Sequence, residues 1–326
     1  MRTVARVKTC LTALALALAA ICLPAAAQYP NKPIRIVVPF PPGGATDIVT
    51  RVVADKLTQS LGQPVTVENR PGAGGTLGSD LVAKATPDGY TLLMGSTSTH
   101  AVAPALYARL PYDPLKDFTP VANVAASPMI LVVSPSLPVT NLKELIAYAK
   151  ANPGKLSYAS SGNGTVNHLT GEMLKGAIGA DMVHVPYKGS ALAFPDLFEG
   201  RVPLMFDYTI SIVPQLKSGK LRPLAITSLK RSATVPDIPT MDASGLPGFE
   251  SILWLGLFAP PGTPREIATR VNAEVVKLLQ LADVREKFAQ QGADPIGGST
   301  EQFAATIRSE IAKWGKIVKD SGAKAD

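Results

Sequence analysis

A strand, a proline stop and a glycine turn into a helix follow one another between Ile34 and Ala54, and no other stretch constrains the fold as much. Ile34-Arg35-Ile36-Val37-Val38 reads as a buried strand. Pro39-Phe40-Pro41-Pro42 ends it, because proline has no N–H to give to a ladder. Gly43-Gly44 permits a sharp turn and leaves backbone amides uncovered. Thr46 or Asp47 is expected to cap the helix that follows, whose apolar side carries Ile48, Val49, Val52 and Val53. The first N–H groups of a helix have no partner and the helix dipole adds partial positive charge, so such a start suits an anion.

The pattern recurs. Val65–Asn69 runs into a loop at 70–78, and Tyr90–Met94 into a loop at 95–100. Strands alternating with helices through short loops indicate a parallel α/β sheet, in which ligands sit beyond the carboxyl ends of the strands. The loops 39–47, 70–78 and 95–100 all fall at that end. The apolar run Val121–Val133, interrupted at Ser127-Pro128, is expected to leave one domain and enter a second. There Asn141 caps a helix, and Leu156–Ala159, the loop Ser160–Thr165 and a helix over Val166–Ile178 repeat the opening unit. Strands are expected at Met182–Pro186, Pro203–Asp207 and Leu221–Thr227, and Phe249–Ala259 reads as the return crossing. Thr263-Pro264-Arg265-Glu266, with Pro264 first in the helix, and the capping box Ser299–Gln302 open the closing helices. Residues 28–127 with 250–326 are thus expected to form one lobe and 128–249 the other, with a cleft and a two-strand hinge between them.

The first 27 residues read as a leader. Arg2, Arg6 and Lys8 precede the apolar run Leu11–Leu23, and Ala25-Ala26-Ala27 supplies a cleavage site. The run is shorter than the ~20 residues of a membrane-spanning helix. Cleavage after Ala27 and export are expected; a retained anchor, or lipidation at Cys22 despite the bulky Ile21, are the alternatives. Both cysteines, Cys10 and Cys22, lie in this leader. The mature chain then has no thiol chemistry or disulfide. Its net charge falls from +7 to +4 when the three leader cations are removed. That is mild for a nucleic-acid binder, which clusters its cations, and compatible with a small anionic ligand.

Gly72, Gly74 and Gly78 follow a strand, but their spacing departs from the dinucleotide fingerprint and no acid closes the next strand. No Walker run and no G-x-S-x-G elbow is present. His100, His168 and His184 have no metal spacing. No catalytic residue, metal or cofactor is therefore expected. The loops instead share Gly, Ser, Thr and Asn, whose amides and hydroxyls hold carboxylates through charge-assisted hydrogen bonds. Each helix end adds only about 0.3–1 kcal/mol, or ~2 when partly buried, so several loops must act together. Asp47 serves either as a helix cap or as a ligand contact. Lys188 pairs with a ligand carboxylate or with water, and Asp207 receives an ammonium or hydroxyl or caps its loop.

Pro39–Asp47 (PFPPGGATD), Glu68–Gly75 (ENRPGAGG) and His184–Gly189 (HVPYKG), in that order, resemble the Bug (Bordetella uptake gene) receptors of tripartite tricarboxylate transporters. The resemblance spans essentially the whole mature chain. It implies a two-lobed α/β periplasmic-binding-protein fold of type 2, a flytrap with two crossing strands and no catalysis. It also implies a small-molecule carboxylate held by the Gly43–Asp47 loop and the loops facing it, often through ordered waters. The candidate ligand-binding residues are Phe40, Gly43, Gly44, Thr46, Asp47, Ser96, Thr97, Ser160, Asn163, Thr165, Tyr187, Lys188 and Asp207. The implied partners are the carboxylate and two integral-membrane transporter subunits; no nucleic acid is expected, and the chain is expected to be a monomer. A hydrolase or isomerase using the same cleft, and a solute sensor feeding a kinase, are the rival readings.

Overall fold

The structure, a computed structural model, describes residues 29–321. The expected leader, with Cys10 and Cys22, lies outside the described residues. β1 (Ile34–Val38) runs parallel between β2 (Val65–Asn69) and β3 (Thr91–Ser96), with Arg35 opposite both Thr66 and Thr91. Ile36, Val37 and Val38 are fully buried, as a continuous apolar run in a strand covered on both faces requires. α1 (Ala45–Leu61) covers the sheet with Val49, Val53 and Leu57, one per turn, and stops at Gly62 in the left-handed conformation. A single 3-10 turn (Ala73–Gly75) leads into α2 (Thr76–Ala83), which begins within the stretch 70–78 expected to be a loop.

The stretch 95–100, expected to be a loop, is ordered differently. β3 continues through Ser96, and a π-helical turn (Ser98–Val102) runs directly into α3 (Ala103–Leu106). Thr99 Oγ1 accepts the Ser96 amide at 3.0 Å and donates back to the Ser96 carbonyl at 3.2 Å. The buried His100 ring stacks on Phe258 at 3.9 Å and meets the edge of Phe118 at 4.6 Å. Small hydroxyl residues look like loop in a sequence because their side chains can replace backbone partners, and that is their role here.

β4 (Thr119–Val133) carries the outward crossing without a break. Its first part, Thr119–Pro128, pairs with β9 (Ile252–Ala259), and Met129–Val133 pairs with β7 (Leu204–Tyr208) and, over most of its length, β8 (Arg222–Ile226). The interruption expected at Ser127-Pro128 is where the strand changes partners. In the second lobe α4 (Leu142–Ala151) is capped by Asn141, as expected, whose side chain accepts the Glu144 amide. β5 (Ser157–Ser160) lies parallel between β6 (Val183–Pro186) and β7, followed by α5 (Val166–Ile178). α6 (Ser190–Phe198) follows β6 and α7 (Thr209–Lys217) follows β7. On the return, β9 pairs with β3 and β4, and Ser251 just before it bonds Thr227 of the second lobe.

α8 (Arg265–Leu278) begins one residue later than expected, with Pro264 as its N-cap rather than its first residue. α9 (Ala282–Gln291) packs against α7, and the two-residue strand β10 (Asp294–Pro295) adds to β4. The Ser299–Gln302 capping box forms with bonds of 2.8 and 3.2 Å and opens α10 (Thr300–Ser321). α10 packs on β4 and α3 and also reaches α5, so the final helix touches both lobes. Its Trp314 is fully buried.

Candidate functional site

A cavity of about 220 Å³ lies between the lobes. The first lobe contributes Phe40, Pro41, Pro42, Gly44, Ala45 and Thr46 from the β1–α1 turn, with Ser96 from the end of β3 and Ser98 from the π-helical turn after it. The second contributes Ser161, Gly189 to Leu192 and Tyr208, and Leu253 of β9 completes the wall. No charged side chain lines it among the described residues. A larger mouth of about 660 Å³ shares Phe40, Pro41, Ser161 and Leu192 with it and adds Gly72 to Gly75, Tyr107, Asn163, Tyr187 and Lys188.

The lobes are closed on one another. A Cβ on Gly189 would stand 2.8 Å from the Pro41 ring, so only glycine admits this approach. The Val166 amide of the second lobe donates to Ser98 Oγ of the first at 3.1 Å. The Tyr107 hydroxyl donates to the Ala73 carbonyl at 3.0 Å and reaches the Asn163 carbonyl across the cleft at 3.5 Å.

The start of α1 forms one wall. Gly44 is its N-cap, with no side-chain cap, in place of the expected Thr46 or Asp47. The reason is that Asp47, in the first turn, reaches backwards instead. Its carboxylate accepts the Gly43 amide at 3.0 Å, Arg51 Nε at 3.0 Å and Asn69 Nδ2 at 2.9 Å. Asn69 also donates to the Phe40 carbonyl at 3.0 Å, so the pair braces the turn from beneath. Burial alone would raise the Asp47 pKa, but the bonds from Arg51, Gly43 and Asn69 outweigh it and hold the carboxyl below its usual range. Gly43 needs its positive φ of 83°, whereas Gly44, at φ −85°, does not. Gly44 serves by leaving the first-turn amides uncovered.

The start of α6 forms the opposite wall. Gly189 is its N-cap, also without a side-chain cap, and Ser190 and Ala191 line the cavity. A Cβ on Gly43 would lie 4.0 Å from the Ala191 Cβ, so the two helix starts face each other at close range. Behind α6 stands Asp207, fully buried, whose Oδ1 accepts Asn167 Nδ2 at 2.9 Å. Burial pushes its pKa up to about 6, against the opposing bonds from the Tyr208 amide, Ser190 and Asn167.

Phe40, Gly44, Thr46 and Ser96 of the expected set therefore meet at the cavity, while Asn163, Tyr187 and Lys188 stand at the mouth. The others brace the walls. Thr97 Oγ1 accepts the Trp254 amide at 2.8 Å, and Thr165 caps α5. The Tyr187 phenol bonds Asp196 and is pushed up to about 12, by burial first and by that carboxylate next. Ser160 is fully buried, with Oγ 2.6 Å from His184 Nε2. A serine beside a histidine was not expected from spacing, yet it does not make a nucleophile. The hydroxyl is sealed from the cavity, and no carboxylate orients the imidazole among the described residues. His184 stacks on His168 at 4.0 Å, and burial, reinforced by that neighbour, holds its pKa down to about 3.

Sequence reasoning missed Ser98, Ser161, Ser190, Ala191, Tyr208 and Leu253. The pair Gly189-Ser190, directly after a strand, carried the same signal as Gly43-Gly44 and was legible. Leu253 and Tyr208 come from strands whose place beside the cleft only the fold reveals.

Residues 49–323 match the sequence model of the tripartite tricarboxylate transporter family receptors. Protein BugT of Bordetella pertussis is 42% identical over 311 residues, covering 95% of each chain. Among solved structures, R. palustris Rpa4515 with adipate is 40% identical, with a TM-score of 0.89 over 91% of this chain and 99% of that one. MatC from Rhodopseudomonas palustris, with bound malate, is 38% identical, with a TM-score of 0.85 over 89% and 100%. The two-lobed α/β periplasmic-binding-protein fold is the one that this chain shares with such structures.

Proposed function

The chain belongs to the tripartite tricarboxylate transporter receptor family, Bug proteins included, and from that premise we propose that it traps a small carboxylate between its lobes and releases it unaltered to a transporter. The family consists of solute receptors, not enzymes. One observation carries the reading of the ligand: two uncapped helix starts, one from each lobe, converge on a cavity that has no charged wall. Relatives solved with adipate and with malate support a carboxylate as the occupant.

Magnitudes explain why two lobes are needed. Binding at micromolar Kd needs about 8 kcal/mol. A partly buried helix end contributes ~2 kcal/mol and each charge-assisted hydrogen bond ~1.5–3 kcal/mol, so one wall alone falls short. The ligand first meets the amides of Ala45 and Thr46, and closure brings those of Ser190 and Ala191 onto it. Phe40, Gly44, Thr46 and Ser96 contact the ligand; Asn163, Tyr187 and Lys188 guard its entry. Gly43, Asp47, Thr97, Ser160, Thr165 and Asp207 shape the walls. Residues 28–127 with 250–326 form one lobe and 128–249 the other. The receptor acts as a monomer in the periplasm after loss of its first 27 residues, and it hands its ligand to two integral-membrane subunits.

Calorimetry on residues 28–326 tests the reading with a panel of small carboxylates and their uncharged amides. At least one carboxylate binds and its amide does not. Equal binding of acid and amide would overturn it.

A further inference from the structure

The donors around the cavity can be counted, and the count limits the ligand's charge. Five serine and threonine side chains line it: Thr46, Ser96, Ser98, Ser161 and Ser190. Ser161 donates to Asn167 Oδ1 at 2.7 Å, and Ser190 stands beside the buried Asp207 carboxyl. Ser98 accepts the Val166 amide at 3.1 Å and stands beside the Tyr208 hydroxyl. These three already face polar groups of the protein. Ser96 differs: its hydroxyl is buried, lines the cavity and has no partner among the described residues. A buried hydroxyl without a partner is unfavourable in the empty site and is satisfied when a ligand oxygen arrives. Ser96 therefore marks, independently of the two helix starts, the place where an anionic head sits.

Nothing equivalent serves a second charge. Apart from the Tyr208 hydroxyl, the side chains on the remaining wall, among them Phe40, Pro41, Pro42, Ala191, Leu192 and Leu253, are apolar. No cation lines the closed cavity among the described residues: Arg51 is taken up by Asp47, which bonds the amide leading into α1, and Lys188 stands at the mouth. A second carboxylate inside the closed cavity would lose its water and gain no partner. The inner cavity of about 220 Å³ is also below the ~300–1,000 Å³ of pockets for drug-sized ligands, so the part of the ligand enclosed there must be compact.

We propose that the cavity selects ligands with one negative charge and a compact apolar body, short aliphatic or aromatic monocarboxylates, over dicarboxylates; this rests on the carboxylate-receptor reading above. The head sits between the starts of α1 and α6 against the Ser96 hydroxyl. The body lies on Phe40 and Leu253.

Matched pairs test it on residues 28–326 near neutral pH: hexanoate against adipate, and benzoate against terephthalate, by calorimetry. The monocarboxylate binds at least ~tenfold more tightly in at least one pair, and in neither pair is the dicarboxylate favoured. Ser96→Ala weakens monocarboxylate binding about tenfold without lowering the melting temperature, because that hydroxyl bonds nothing among the described residues. Leu192→Arg places a cation at the rim on a side chain that is 57% exposed, so folding is spared. It shifts the preference toward the dicarboxylate at least ~tenfold. If the dicarboxylate binds as well as or better than its partner in wild type, the single-charge inference fails while the receptor reading stands. If no member of either pair binds, and no other carboxylate does, both fail.

Discussion

The two lobes carry the same local motif, a strand ending in small residues that turn into a helix, and they use it differently. In the first lobe the β1 turn leaves the start of α1 open to the cavity. In the second the matching unit, Ser160–Thr165 into α5, is filled: Thr165 caps the helix, and the Val166 amide is taken by Ser98 from the opposite lobe. The open helix start of the second lobe is that of α6, one unit later. On the proposed reading an uncovered helix end binds, whereas a covered one fastens the lobes together. Which of the two a sequence motif becomes depends on what the other lobe brings to it.

The sharpest way to break this comparison is Gly44→Val. Gly44 has an ordinary φ of −85° and its Cβ would meet nothing nearer than 3.9 Å, so the fold should be kept. The valine covers the open amides, and carboxylate affinity should fall at least ~100-fold in calorimetry, the loss of two or more charge-assisted bonds. Gly189→Val is next. It places a Cβ 2.8 Å from Pro41 at a φ of 131°, which blocks closure from the second lobe. Affinity should fall about 10- to 100-fold, and scattering should show a more extended particle in the presence of ligand.

The second lobe's buried ionisable groups sharpen the comparison through pH. His184 has a folded pKa of about 3 against 6.5, so on acidification the unfolded chain takes the proton first and stability is lost between pH 6.5 and about 3. Asp207 has a folded pKa of about 6 against 3.8, so the folded chain takes the proton first and stability is gained as pH falls from about 6 to 3.8. The two oppose each other. Asp207→Asn should steepen the acid loss below pH 6, and His184→Gln should flatten it, in urea midpoints measured from pH 7 to 4. The smallest effect is expected from Thr165→Ala, which removes a helix cap and should lower stability by ~1 kcal/mol while leaving binding within a fewfold of wild type.

Features set by neighbours in the chain were legible in the sequence. The stop at Pro39–Pro42, the Asn141 cap, the Ser299–Gln302 box and the span Val166–Ile178 all follow from local rules, and each is present. So was the crossing strand, because an apolar run of that length has few other uses in an α/β chain. The roles of single site residues were less legible, since they depend on distant partners. Asp47 became a brace rather than a cap because Asn69 stands beside it from the end of the neighbouring strand β2. Ser96 and Ser98 are two apart in one small-residue run, yet one is unpartnered at the cavity and the other holds the opposite lobe. No pattern of neighbours distinguishes them.

The central claim is that one carboxylate is gripped by backbone donors from both lobes. A crystal structure of residues 28–326 with the tightest-binding carboxylate of the panel tests it most directly. The account predicts carboxylate oxygens within hydrogen-bonding reach of amides at Ala45 or Thr46 and at Ser190 or Ala191, with Ser96 Oγ in contact. A carboxylate paired instead with Lys188 at the mouth, with the starts of α1 and α6 left empty, would contradict it.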